Sequence, residues 1–201
     1  MAGFQIIVLV FSVTIHELSH GLAANSLGDD TAKVLGRLTL NPLKHLDLFG
    51  SFILPVSLAL LNLPAFGYAK PVPYNPLNLS DRRWGPAKVA IAGPLSNLAL
   101  ALMFGLILRF FPGIFPPGIL PDLFSLIIFI NLILAVFNLF PVPPLDGHWI
   151  LFSLLPGSFN RLKDIIYKNS LVLFILFILF GMNIVYGVVV ILYNFIVGGV
   201  S

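Results

Sequence analysis

The sequence predicts an all-α polytopic membrane protein, with about four transmembrane helices, a re-entrant segment and a short β-strand region at the membrane surface. Three observations lead there. With 58% hydrophobic and 9% charged residues and a mean hydropathy of +1.01, a 201-residue chain has more apolar surface than a soluble core could hide. Apolar runs of roughly 20 residues, the length needed to cross a bilayer, recur along it. Its basic residues lie between those runs, so the net charge of +3 and pI of 9.3 read as topology signals for a lipid bilayer, and not as a nucleic-acid surface. Cysteine is absent, which excludes a disulfide framework, a thiolate metal site and a cysteine nucleophile. Any metal must use His, Asp or Glu.

The first element is residues 4–26, FQIIVLVFSVTIHELSHGLAANS, uncharged from Phe4 to Ile15. A secretory signal fits poorly, because a basic leading region is missing and ionisable residues stand where a cleavable signal stays apolar. His16, Glu17 and His20 are set into this run. An ionisable group inside a span costs about 2.5–3.5 kcal/mol and is by default functional. The bland alternative, three polar residues ending a hydrophobic helix, does not explain why they match H-E-x-x-H in register. In that pattern two histidines one turn apart share a helix face and converge on zinc, while the glutamate acts as general base toward metal-bound water.

Thr31–Leu40 alternates, with Ala32, Val34, Leu38 and Leu40 against Thr31, Lys33, Arg37 and Thr39. Period two predicts a surface strand, either a structural hairpin arm or an edge that binds an extended substrate. In the turn-rich segment 41–47 a lone loop histidine, His45, reads as structural or as a support to ligands, and stays outside the ligand set. Leu48–Leu63 is apolar but only sixteen residues long, with Pro55 near its centre, which suits a re-entrant hairpin. Residues 68–84 are polar, proline-rich and basic, hence a loop.

Pro86 opens a second long helix to about Phe110, proline being well tolerated at the first helical position. Ala90, Ala92, Gly93, Ser96 and Ala99 allow close helix approach, Pro94 predicts a kink, and Asn97 reads as an interhelical hydrogen-bonding amide. Residues 111–121 form a Pro/Gly turn. A third span, 122–140, runs into NLFPVPPLDG at 138–147, where Pro141, Pro143 and Pro144 must break the helix. Broken helices at membrane depth line polar cavities, which would turn Asp146 toward one. Helix resumes near 148–155. Residues 158–169 oppose Phe159, Leu162, Ile165 and Ile166 to Arg161, Lys163 and Lys168, as an interfacial helix does. Residues 170–197 form a last span without ionisable side chains.

HELSH at 16–20, AGPLSN at 92–97 and NLFPVPPLDG at 138–147 resemble, in order, three signatures of the site-2 protease family of intramembrane zinc metalloproteases. The similarity covers most of the chain as a single domain, residues 1–201, and it looks like the compact subgroup without accessory domains. The resemblance implies one zinc ion held by His16, His20 and Asp146, with Glu17 as base and Asn138 near the substrate carbonyl. It further implies cleavage of membrane-embedded protein substrates near the cytosolic side. It assigns no role to His148, whose plain reading is an interfacial histidine.

Two rival functions compete. A metal transporter would also gather His and carboxylates in a bundle, but it would show internal repeats and a polar path, and neither is found. An inactive relative acting as a binding protein is disfavoured by the intact Glu17. The sequence carries no signal for an oligomeric state.

Topology follows from charge. For His16, His20 and Asp146 to meet at one depth, the first helix and the third span must run parallel, which requires 48–63 to be re-entrant. Ten basic residues then share one face and Arg109 stands opposite; a full span at 48–63 would give seven against four, a weaker fit to the positive-inside rule. The expectation is a cell-membrane protein with four spans, both termini extracytoplasmic and the zinc nearer the cytosolic face, about 9 Å in.

Overall fold

In the computed structural model, residues 2–45, 47, 57, 60, 70–114 and 118–198 are described. Among the described residues, four helices are long and apolar enough to cross a membrane: α1 (Ala2–Ser26), α3 (Gly85–Phe110), α4 (Ile119–Asn138) and a final 28-residue stretch, Ser170–Val197. This last stretch comprises α7 (Ser170–Leu176), one wider π-type turn at Phe177–Gly181, and α8 (Met182–Val197). Shorter helices are α2 (Thr31–Val34), α5 (Gly147–Leu154) and α6 (Asn160–Lys168). The long elements fall where the apolar runs predict them, because length and hydropathy alone decide whether a helix can span.

α3 is the centre of the bundle, packed along both α1 and α4, with α8 closing the far side against α4 and α3. Its core joins Ala101 to Ile128, Leu132 and Val136 of α4 and Val185, Val189 and Ile196 of α8. Outward, Ile6, Leu9, Phe11, Leu102, Leu106, Leu179, Ile191 and Phe195 remain exposed, as expected of side chains that face lipid.

Cross-contacts set the helix directions. His16 meets Asn97 while His20 meets Val89, so α1 and α3 are antiparallel. Asn97 meets Asn131 and Phe104 meets Phe124, so α4 is antiparallel to α3 and hence parallel to α1. Ser125 bonds Tyr193 and Phe129 stacks edge-on to Tyr186, which turns α8 back again. Ser26 and Gly85 therefore lie at one end of the bundle. The re-entrant reading of 48–63 falls on a segment of which only residues 57 and 60 are described, and so lies outside what the described residues test.

The strand expected at 31–40 does not form, and no strand occurs among the described residues. The local reason is Asp29, whose carboxylate accepts from the hydroxyl and N–H of Thr31 and so starts a helical turn. Gly36, at φ +63°, ends it. The alternation was accidental: Ala32 is 0% exposed while Val34, two residues on, is 82% exposed, so the supposed face is not a face. Arg37 then donates to the carbonyl of Lys70 and His45 bonds the carbonyl of Thr39, tying the turns together.

Candidate active site

The site begins as a stripe on α3. Val89, Gly93 and Asn97 recur every four residues and so share one face, the face turned to α1. Each does something different for the two histidines. The Val89 carbonyl accepts from Nδ1 of His20 at 2.7 Å, and Oδ1 of Asn97 accepts from Nδ1 of His16 at 2.6 Å. Asn97 is itself held, because its amide donates to the Ser12 carbonyl and to Oδ1 of Asn131. Asn131 in turn donates to the Ile127 carbonyl. With both Nδ1 atoms engaged as donors, the Nε2 lone pairs of His16 and His20 are left to face each other at 3.1 Å.

Gly93 makes room for that meeting. A Cβ there would lie 2.5 Å from Nε2 of His20 and 2.6 Å from Nε2 of His16. The small residues of α3 thus serve the site as well as helix packing.

Asp146 arrives from the other side. After α4 the proline-rich turn folds back through short bonds, Val142 to the Phe140 carbonyl and Leu145 to that of Val142. Gly147 closes the fold, since a Cβ at that position would run into the carbonyl oxygens of Leu139 and Phe140. Oδ2 of Asp146 thereby sits 3.1 Å from Nε2 of His16 and 3.2 Å from Nε2 of His20. Both histidines are buried. Ligand bonds of about 2.0–2.1 Å in a tetrahedral zinc site separate donor atoms by roughly 3.3 Å, so this triangle has the size and donor chemistry to hold one such ion.

Glu17 projects from the same helix, and its Oε2 accepts the backbone N–H of Val72 at 2.8 Å, while its other oxygen has no hydrogen bond among the described residues. Asn138 ends α4, with one amide N–H given to the Leu134 carbonyl. No described contact joins it to the three donors. His45 bonds the Thr39 carbonyl and lies outside the donor group, and Nδ1 of His148 bonds the Leu145 carbonyl, bracing the turn that carries Asp146. Burial and the negative charge of Asp146 push the phenol of Tyr74, in the loop before α3, up to about 12.

The structure places His16, His20 and Asp146, the three residues that the family resemblance groups, next to one another. Sequence reasoning took Asn97 for an interhelical amide, which it is, without seeing that its partner is the first histidine. The spacing of 89, 93 and 97 was the available signal. The Val72 N–H carried none, since a backbone donor leaves no trace in side-chain pattern.

An H-E-x-x-H helix inside a bundle of spans, with a carboxylate returned to it by a broken helix, defines a multi-pass membrane zinc metalloprotease. The chain belongs to peptidase family M50, whose model matches residues 4–116 and 115–182. It is 44% identical over 160 residues to YwhC of Bacillus subtilis, covering 76% of this chain and 69% of that one. To Rip2 of Mycolicibacterium smegmatis it is 33% identical over 147 residues, 69% of this chain and 52% of the relative. To the zinc metalloprotease MJ0392 of Methanocaldococcus jannaschii it is 28% identical over 184 residues, 89% of this chain and 44% of the relative. No solved structure matches the chain.

Proposed function

We propose that the chain is an intramembrane endopeptidase that hydrolyses peptide bonds of membrane-embedded protein substrates. His16, His20 and Asp146 hold a single zinc ion, Glu17 is the general base and Asn138 steadies the scissile carbonyl. The observation that carries this reading is the triangle of two Nε2 atoms and Oδ2, all within 3.2 Å, with the far side of each imidazole fastened to α3. Zinc, when bound, supplies a Lewis acid and lowers the pKa of water to about 7.

The chain's own residues do the rest. Asn97 and the Val89 carbonyl keep both histidines in the tautomer that presents Nε2. Val72 occupies one oxygen of Glu17 and orients the other for proton transfer. Asn138 spends one N–H on Leu134 and has a second for an oxyanion. A substrate helix shields its own carbonyls by hydrogen bonding, so it unwinds locally before cleavage.

The site faces the cytosol in this reading. Two antiparallel pairings place the ends of α1, the start of α3 and the α5–α6 region together, and the basic residues of those segments gather there, with Arg109 at the other end.

The deciding measurement is zinc content beside cleavage of a candidate membrane substrate in vesicles. Glu17→Gln retains zinc and loses proteolysis by about 10²–10⁴-fold. Loss of the metal together with activity refutes the base role, and a wild-type protein that takes up no zinc refutes the whole reading. Single cysteines at Thr39 and Leu77, in this cysteine-free chain, are both labelled from the cytosol; labelling from opposite faces overturns the orientation.

A further inference from the structure

At the end of the bundle that carries the basic loops lies a cavity of about 520 Å³, between the start of α3, α5 and the start of α6. Its size falls within the roughly 300–1,000 Å³ of small-molecule sites. Among the described residues three cations line it, Arg82, Arg83 and Lys163, and no carboxylate does.

The cations are not neutralised locally. Asp81, next to Arg82, is paired with Lys88 at 2.9 Å. Neither Arg82 nor Arg83 has an acidic partner among the described residues, and Arg83 lies over the Trp84 ring at 5.3 Å. Lys163 gives one N–H to the Leu155 carbonyl, which fixes the ammonium at the rim and leaves two donors. A concave site with this charge excess calls for an anion.

The apolar surroundings say which anion. Trp149 and Phe152 form one wall, and Leu154, Phe159, Leu162 and Ile165 stand exposed beside it on α5, the following turn and α6. In a chain that spans a bilayer these side chains lie in acyl chains, which puts the cavity at headgroup depth. We propose that this cavity binds the phosphate headgroup of an anionic phospholipid, with Arg82, Arg83 and Lys163 as its charge partners and the acyl chains running over Leu162 and Ile165.

Occupancy has a structural consequence. The lipid joins α3 to α5 from outside, and α5 begins one residue after Asp146. A bound headgroup therefore braces the helix that follows the carboxylate-bearing turn. This inference rests on the membrane reading of the fold and not on zinc or proteolysis.

The chain has two tryptophans, so Trp84→Phe leaves Trp149 as a reporter inside the cavity. In vesicles of matched composition, brominated phosphatidylglycerol quenches Trp149 at least threefold more effectively than brominated phosphatidylcholine at equal mole fraction. Equal quenching by the two lipids overturns the proposal, and this comparison needs no change to the cations. Joint replacement of Arg82, Arg83 and Lys163 by Gln removes the preference, while replacement of Arg161 and Lys168, which lie outside the cavity, keeps it. The same loss in both variants shows a diffuse surface charge and overturns the site. Millimolar inorganic phosphate leaves the quenching unchanged; if it relieves the quenching, the site takes a free anion and the lipid assignment fails.

Discussion

His16 and Asp29 are both buried polar side chains that tie α1 or its exit to a distant segment, yet they are built in opposite ways. Asp29 makes its bonds inside the fold. Its Oδ1 accepts twice from Thr31 and from the amide of Asn78 at 2.9 Å, and its Oδ2 accepts from the N–H of Asn75 at 2.7 Å. His16 and His20 are satisfied on one side only, and their remaining lone pairs converge with Asp146 on a common point. The first arrangement directs its hydrogen bonds to neighbouring segments of the fold, as a structural knot should. The second holds capacity in reserve, and reserve aimed at one place is what a ligand site is.

That contrast can be broken or sharpened by substitution. The largest effect is expected at Gly93, where Ala thrusts a Cβ against both Nε2 atoms while their Nδ1 bonds prevent the rings from retreating. Zinc affinity falls by about 100-fold or more, measured by chelator competition, with the helical content unchanged by circular dichroism. Unaltered affinity would show that the rings have freedom the geometry denies them.

Asn97→Val comes next. It removes the acceptor of His16 and weakens zinc binding about 10–100-fold, whereas Asn97→Asp retains the acceptor and recovers most of the affinity. If both variants lower thermal stability alone and bind zinc as the wild type does, Asn97 belongs with Asp29 as a purely structural tie.

The smallest effect is at Asp29. Asp29→Ala orphans the Asn75 N–H and lowers stability by about 1–3 kcal/mol in detergent unfolding, with zinc affinity untouched. The knot also carries a pH signature. Burial pushes the Asp29 carboxyl up, but the bonds from Thr31, Asn78 and Asn75 outweigh it and hold the pKa below its ordinary value. A group depressed in the folded state stabilises fully above its unfolded pKa of about 3.9, and that contribution is lost as pH falls through the lower folded value. Wild type should therefore lose its stability advantage over Asp29→Asn progressively below about pH 4. An advantage that stays constant there would refute the assigned cause.

How much of this was legible beforehand depends on the range of the interaction. The spans were readable because bilayer thickness and hydropathy act on each run separately, and the HELSH turn was readable because one helical turn fixes its geometry. The supposed strand at 31–40 was misread because alternation over ten residues is weak evidence against a single turn started by a side-chain-to-backbone bond. Asp29 and Gly36 set that local structure, and burial of Ala32 beside exposed Val34 followed from packing.

By itself, then, the amino-acid order determined a membrane bundle, a histidine pair and a carboxylate freed by prolines, since each is a property of a short stretch and its solvent. Only the tertiary structure decided that Asn97 and the Val89 carbonyl turn both imidazoles the same way, that Gly93 leaves them room, and that a backbone N–H at Val72 holds Glu17. These are contacts between segments 55–85 residues apart or between a side chain and a main-chain atom. Their partners are selected by helix packing, a choice that no local pattern encodes.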